Sequence, residues 1–248
     1  SQEKIKQLDV QMKEKELNAA FEEIDSVTEK LELPNIKEFV TLIESDGQYL
    51  RKKYVESYDG LISFYQMNPN SPEADRFKGR IVRGITAEIQ ENVVQKKFID
   101  ALRVYSRFAG SWLKGNERVD LKVYVGQAYE QAGVYKEAGQ IYRDSLNKVY
   151  AAKGTKIEKE RGVFEKIPSA DSLNLRLAVT SAKQGEFTQS ADFLKSIKTP
   201  QSLSEAEQIE RAETSADVAV ALGQIDTAKK FLEQLLQAWK GQPVATSG

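Results

Sequence analysis

The side chains that most often perform covalent or metal chemistry are missing from this chain, whose 248 residues include no histidine and no cysteine. A Ser-His-Asp triad, a Cys-His dyad and an ordinary zinc site are thereby removed together, because each needs an imidazole or a thiolate. Carboxylates, Lys, Tyr, Ser and Thr remain. Paired carboxylates such as Glu22 and Glu23 adjoin in sequence, so on a helix they point to different faces and form no acid/base pair. No glycine-rich phosphate loop or cluster of metal-ligand residues occurs. The expectation is no catalytic residue, no cofactor, no metal and no small-molecule substrate.

Two basic clusters are the next candidates for chemistry. One is Arg51-Lys52-Lys53-Tyr54, and the other is Arg76, Lys78, Arg80 and Arg83, of which Arg76, Arg80 and Arg83 share a helix face. With aromatics nearby, such arrays suit a phosphate or RNA backbone. Acidic residues flank both, however, and 36 Lys+Arg against 37 Asp+Glu leave a net charge of -1. No whole-domain pull on nucleic acid or anionic lipid follows, and nucleic-acid binding is disfavoured. Tyr54, Tyr58, Phe64 and Tyr65 stand at helical spacing, which marks core more often than an exposed docking stripe.

The elements that must carry these residues are helices throughout. Residues 1–33 are rich in Glu, Lys and Gln and place Ile5, Leu8, Met12, Leu17, Phe21, Ile24 and Leu31 at mostly helical intervals. The irregular step after Met12 argues against a long coiled coil and for a helix laid on a neighbour. Pro34 ends that segment. One apolar face then runs from Ile36 to Tyr65, interrupted or kinked at Asp46-Gly47. Further helices are expected from Pro72 to Val94, Phe98 to Leu113, Val119 to Ala132 and Tyr135 to Ala152. An irregular stretch over 153–170 follows, and then two helical pairs divided at Gly185 and Gly223. Pro168-Ser169-Ala170-Asp171 and Ser202-Leu203-Ser204-Glu205 read as helix caps, the second as a capping box.

No run of 18 apolar residues exists, so no membrane span is expected. The chain opens on Ser1-Gln2-Glu3-Lys4, without Met and without the apolar core of a signal peptide. It reads as a processed or excised form, from which an anchor or export signal could have been removed. A soluble protein is expected, cytoplasmic or else an exported or periplasmic domain, the latter weakly permitted by the missing cysteine.

One pattern recurs. Gly126 and Tyr129 precede Gly133, and Ala138 and Tyr142 follow it. Ala178, Gly185, Phe187, Ser190 and Leu194 repeat that order, as do Ala216, Gly223, Ile225, Ala228 and Leu232. A weaker copy has Ile89, then Lys96 in the glycine place, Phe98, Ala101 and Tyr105. Small residues let paired helices approach, aromatics fill the space between hairpins, and glycine permits a left-handed helix end. The pattern resembles the tetratricopeptide repeat (TPR) family, over about residues 85–240. The turns lie 37 (133−96), 52 (185−133) and 38 (223−185) residues apart, against a family period of about 34.

The resemblance implies an all-α chain, a right-handed alpha-alpha superhelix or TPR-like solenoid of hairpins with a long N-terminal helical hairpin. Residues 1–80 would be non-repeat or degenerate, 81–240 TPR-like repeats, and 241–248 a flexible tail. It also implies a groove lined by the first (A) helices that holds a protein partner. The groove-facing candidates are Gln127, Glu130, Gln131, Leu175, Val179, Lys183, Glu213 and Asp217. The family's variant that grips carboxylate tails uses Lys and Asn at places where this chain has Asp120 and Gln127, so that mode is disfavoured. The function expected is a non-catalytic interaction scaffold or adaptor in a larger assembly, an envelope-associated one among the candidates. Two alternatives stand beside it: a regulatory or substrate-presenting helical domain of a larger enzyme, and a self-associating module, a homo-oligomer formed through residues 1–33.

Overall fold

The computed structural model describes residues 34–71, 73–116, 118–152 and 168–240, together with Lys15 and Ala19. The helix expected over 1–33, the helix start at Pro72, most of the irregular stretch over 153–170 and the 241–248 tail lie outside the described residues. Among the described residues the regular elements are all helical. They are α1 Pro34–Leu50, α2 Tyr54–Met67, α3 Ala74–Val94, α4 Phe98–Ala109, α5 Val119–Gln131, α6 Tyr135–Ala152, α7 Ala170–Lys183, α8 Phe187–Lys195, α9 Glu205–Ala221 and α10 Ile225–Lys240. Two compact units result, residues 1–94 with 103–116 and residues 95–102 with 117–248.

The first unit corrects the expectation of one long interrupted helix from Ile36 to Tyr65. Gly47 lies buried inside α1, and the chain reverses instead at Arg51-Lys52-Lys53. Lys52 takes a left-handed φ of 60°. Its N–H donates to the Tyr49 carbonyl and the Lys53 N–H to the Gln48 carbonyl, both at 2.9 Å, which is the Schellman helix ending. Folding back serves the apolar pattern. Val40 and Leu42 of α1 and Tyr58 and Leu61 of α2 are all buried, which one continuous helix could not arrange within a single unit.

The second unit contains three hairpins, α5–α6, α7–α8 and α9–α10, each closed by the expected glycine. Gly133, Gly185 and Gly223 have φ of 80°, 78° and 73°. Each repeats the hydrogen bonds seen at Lys52: Gly133 to Glu130 and Val134 to Tyr129, Gly185 to Ala182 and Glu186 to Ser181, Gly223 to Val220 and Gln224 to Ala219. Residues 34–67 are therefore another hairpin closed by the same turn. A buried hydrogen bond confirms the alignment. Ser57 Oγ donates to the Ser45 carbonyl at 2.9 Å, and Ser190 Oγ to the Ala178 carbonyl at 2.7 Å, the same two places in both hairpins.

Packing within the second unit follows from residue size. A Cβ added to Gly126 would lie 2.6 Å from the Tyr142 ring, so only glycine lets α5 and α6 close over that ring. Tyr142, Val123, Ala138 and Leu146 then form one core with Leu173 and Leu177 of α7. At α7, Ser169 caps the start and accepts from the Ser172 N–H at 3.0 Å. At α9 the capping box is Ser204 with Glu207 rather than one begun by Ser202, which closes the 3-10 turn Pro200–Ser202.

Candidate partner-binding surface

The A helices of the second unit, α5, α7 and α9, are joined by a chain of charges. Glu130 on α5 is buried, and its Oε2 accepts from the Tyr142 hydroxyl at 2.7 Å. Its other oxygen meets Arg176 of α7 at 3.1 Å, and the second terminal nitrogen of Arg176 pairs with Glu210 of α9. Burial, and then the Glu130 carboxylate beside it, raises the Tyr142 hydroxyl well above the ordinary tyrosine range. It therefore stays protonated and donates. A second link ties the helix starts, where Ser172 Oγ donates to Glu207 at 2.6 Å. Burial would raise Glu207, but hydrogen bonds from Ser172 and Ser204 outweigh it and the carboxyl is held below its usual range.

Asp171 works in the same way at the other side of α7. It accepts from the backbone N–H of Lys198 at 3.0 Å and of Thr199 at 2.8 Å. Burial opposes the charge, but the Thr199 hydroxyl and those two amides prevail, so its carboxyl lies below the ordinary range. The connector between α8 and α9 is thus fastened to the start of α7, and this decides the fate of two expected site residues.

Of the eight groove candidates, Leu175 and Val179 are corrected. They form a core cluster with Ile197 and Leu203, which the fastened connector lays over them. Leu175 is 0% exposed. Glu130 is likewise inside, committed to Tyr142 and Arg176, and not a groove residue. Gln127 is half-buried, whereas Gln131, Lys183, Glu213 and Asp217 are exposed on the A helices. Asp120, at a clamp position of the disfavoured binding mode, is buried and held by Arg118 at 2.9 and 2.7 Å. Arg176 and Glu210 were not singled out from sequence. Their partners lie 46 and 34 residues away along the chain, a distance at which no local spacing rule applies.

Several members of the basic clusters are engaged within the fold. In the first unit Arg80 and Arg83 both bind Asp46, Arg80 bidentately with its shortest contact at 2.8 Å, and Arg83 also lies over the Tyr49 ring at 4.2 Å. Arg76 pairs with Glu73 at 2.8 Å, while Lys52 forms the turn. The aromatic stripe of α2 packs as core: Tyr58 meets Phe108 edge-on, Phe64 stacks on Phe77, and Tyr65 meets Trp112 edge-on.

Grooves open on the second unit among the described residues. One, of about 560 Å³, lies by α6, α7 and α8 and is lined largely by polar groups including Lys136, Arg143, Gln184 and Gln189. Another, of about 510 Å³, lies among α8, α9 and α10 and is more apolar, with Leu194, Val218, Leu222 and Phe231. No group of His, Cys, Asp or Glu among the described residues is arranged to hold a metal, and no described helix is long and apolar enough to cross a membrane.

No protein-family model and no curated protein matches the sequence. Among solved structures, the chain is similar to a Podosopora anserina crystal structure described as nearly identical TPR-like repeats of the kinesin light chain kind. The match has 15% identity, covers 86% of this chain and 100% of that one, and has a TM-score of 0.39. The hairpin geometry above stands without it.

Proposed function

We propose that this chain is a non-catalytic scaffold that holds a protein partner on the exposed face of its A helices. The observation that carries this reading is the ion chain Glu130–Arg176–Glu210, which fixes α5, α7 and α9 against one another. Such fixing makes a preorganised platform, and a preorganised surface loses less entropy when it binds. On that platform Gln131, Lys183, Glu213 and Asp217 are exposed and take part in no side-chain hydrogen bond or ion pair among the described residues. They offer a neutral amide, one cation and two carboxylates, which suits a polar partner segment of complementary charge. A composition without His or Cys is what a binding protein tolerates and most hydrolases do not.

The test is crosslinking mass spectrometry of the native complex, followed by capture of the identified partner with purified chain. Lys183→Glu combined with Asp217→Lys is expected to reduce capture at least tenfold with circular dichroism unchanged. Full capture by that double variant removes this face from consideration.

A further inference from the structure

The groove by α6, α7 and α8 and the groove among α8, α9 and α10 stand in equivalent places of successive hairpins. The turn glycines set the register, 52 residues (185−133) from α6 to α8 and 38 (223−185) from α7 to α9. Gly139 and Arg143 in the lining of the first thus become Ala191 and Lys195 in the second. Thr180, Ser181 and Gln184 become Val218, Ala219 and Leu222. A polar lining has turned apolar.

The packing beside the groove changes in the same register. Between α6 and α7, Tyr142 and Leu146 share a core with Leu173 and Leu177, and Leu173 is 0% exposed. On α9 the counterparts of those two α7 leucines are Arg211 and Ser215, and Tyr142 gives way to Leu194. Leu146 has no helical counterpart, because α8 is 9 residues long against 18 in α6. Lys198, which holds its register, lies in the connector with its backbone N–H on Asp171. Side chains that fill the earlier pair are thus smaller, polar or displaced in the later one, and a groove of about 510 Å³ opens there. That volume suits a small organic ligand.

Arg211 indicates what such a ligand must carry. It lines the groove, its Nε is buried without a hydrogen-bond partner, and among the described residues no carboxylate pairs with it. Asp192, a carboxylate in the same lining, meets Lys195 at 3.6 Å instead. An arginine kept for its apolar stem sends its head group to water. Here Nε lies inside, and a guanidinium withdrawn from water without an anion is costly. We propose that this groove binds a small carboxylate amphiphile, a fatty-acid-like molecule. Its head meets Arg211, and its chain lies along Leu194, Val218, Leu222 and Phe231. Carboxylate and guanidinium match in charge and in planar hydrogen-bonding geometry, while the apolar lining disfavours a ligand that is polar throughout. The site uses none of the exposed A-helix residues of the scaffold reading, so the two can fail separately.

The probes are octanoate and octanol, titrated into the nitrogen-15-labelled full chain and read from amide shifts in α9 and α10. Octanoate is expected to bind at least tenfold more tightly than octanol. Arg211→Leu, which restores the leucine of the preceding repeat, should weaken octanoate at least tenfold and leave octanol unchanged. Arg211→Met supplies a second neutral side chain if the leucine variant does not fold. Val218→Thr with Leu222→Gln copies the polar lining of the first groove and should abolish binding of both probes with circular dichroism retained. Lys183→Glu with Asp217→Lys should leave octanoate binding unchanged. Absence of octanoate binding, equal affinity for the two probes, or indifference of octanoate to the neutral Arg211 variants overturns the proposal. A peptide ending in leucine with a free carboxylate is the competing occupant. Binding of that peptide at least tenfold more tightly than octanoate would make the ligand a protein tail and overturn the small-molecule assignment.

Discussion

The hairpin at residues 34–67 and the hairpin at residues 119–152 solve one problem with different residues. Both end their A helix in a left-handed Schellman turn, with Lys52 in one and Gly133 in the other. Where α5 and α6 touch, Gly126 yields its space to the Tyr142 ring, whereas Ser45 stands in the place of Gly126 in the first hairpin and hydrogen-bonds to Ser57. Both also present an A-helix carboxylate to arginine from a later helix: Asp46 to Arg80 and Arg83, Glu130 to Arg176. The difference is burial. The Asp46 side chain is 36% exposed and the Glu130 side chain 5%. The backbone geometry defines the repeat, and side chains are interchangeable to the extent that they meet its small, large and left-handed places.

The largest expected consequence follows from that burial. Arg176→Ala leaves the Glu130 carboxylate inside with the Tyr142 hydroxyl as its remaining partner, and breaking a buried pair on one side costs about 3 kcal/mol or more. Arg80→Ala leaves Asp46 with Arg83 and with water, so a loss below about 1 kcal/mol is expected there. Urea unfolding of the two variants measures both. Equal losses would mean the two carboxylate–arginine contacts are energetically alike, and the comparison would collapse.

Next in size is Gly126→Ala. The added methyl would stand 2.6 Å from the Tyr142 ring, which cannot swing away while its hydroxyl is held by Glu130. Overpacking of this kind costs about 1–3 kcal/mol. Pairing it with Tyr142→Leu removes the ring edge and should recover part of the loss, a coupling that a double-mutant cycle reads directly. Additive losses would show that the contact is not what keeps glycine there.

The contrast between the hairpins also explains how much could be read from sequence. Gly133, Gly185 and Gly223 announce their turns because glycine is the residue that adopts positive φ without strain, so the second unit's hairpins and their boundaries were legible. Lys52 carries no such mark, and Asp46-Gly47 drew the break to the wrong place although Gly47 is buried within the helix. Ser45 and Ser57 hid the first hairpin's alignment, since small polar residues at helical spacing do not stand out from the surface pattern. Among the groove candidates, the exposure of Gln131, Lys183, Glu213 and Asp217 agrees with counting within helices. Leu175 and Val179 failed because their covering residues, Ile197 and Leu203, come from a connector whose path depends on Asp171 holding Lys198 and Thr199. Long-range closure of that kind leaves no periodic trace.

A smaller effect tests the turn equivalence. A left-handed lysine costs roughly 1–2 kcal/mol in backbone strain, partly offset in Lys52→Gly by the greater chain entropy of an unfolded glycine. Lys52→Gly is therefore expected to stabilise the first unit by up to about 1 kcal/mol, while Gly133→Lys should destabilise the second by about 1 kcal/mol or more. Local hydrogen-exchange protection in α1–α2 and in α5–α6 measures each without requiring that the units unfold together. Opposite signs would confirm that one backbone device serves both hairpins. A loss of protection with Lys52→Gly would mean that the lysine side chain contributes something its turn geometry does not reveal.

The smallest expected effect is acid sensitivity at Asp46. Burial works to raise this carboxyl, but hydrogen bonds from Arg80 and Arg83 and their charges overcome it, and it is held below the ordinary aspartate range. A group with a depressed folded-state pKa contributes stability above its unfolded value, near about pH 4, and loses it as pH falls through the lower folded value. Solvent screening at a side chain this exposed limits the contribution to less than about 1 kcal/mol. Protection of the α1–α2 amides in the wild type should accordingly exceed that in Asp46→Asn at pH 6, and the two should converge as pH falls toward 3. A gap that stays constant across that range would show that the asparagine acts through packing, and that the arginine–aspartate contact adds nothing of its own to the first hairpin.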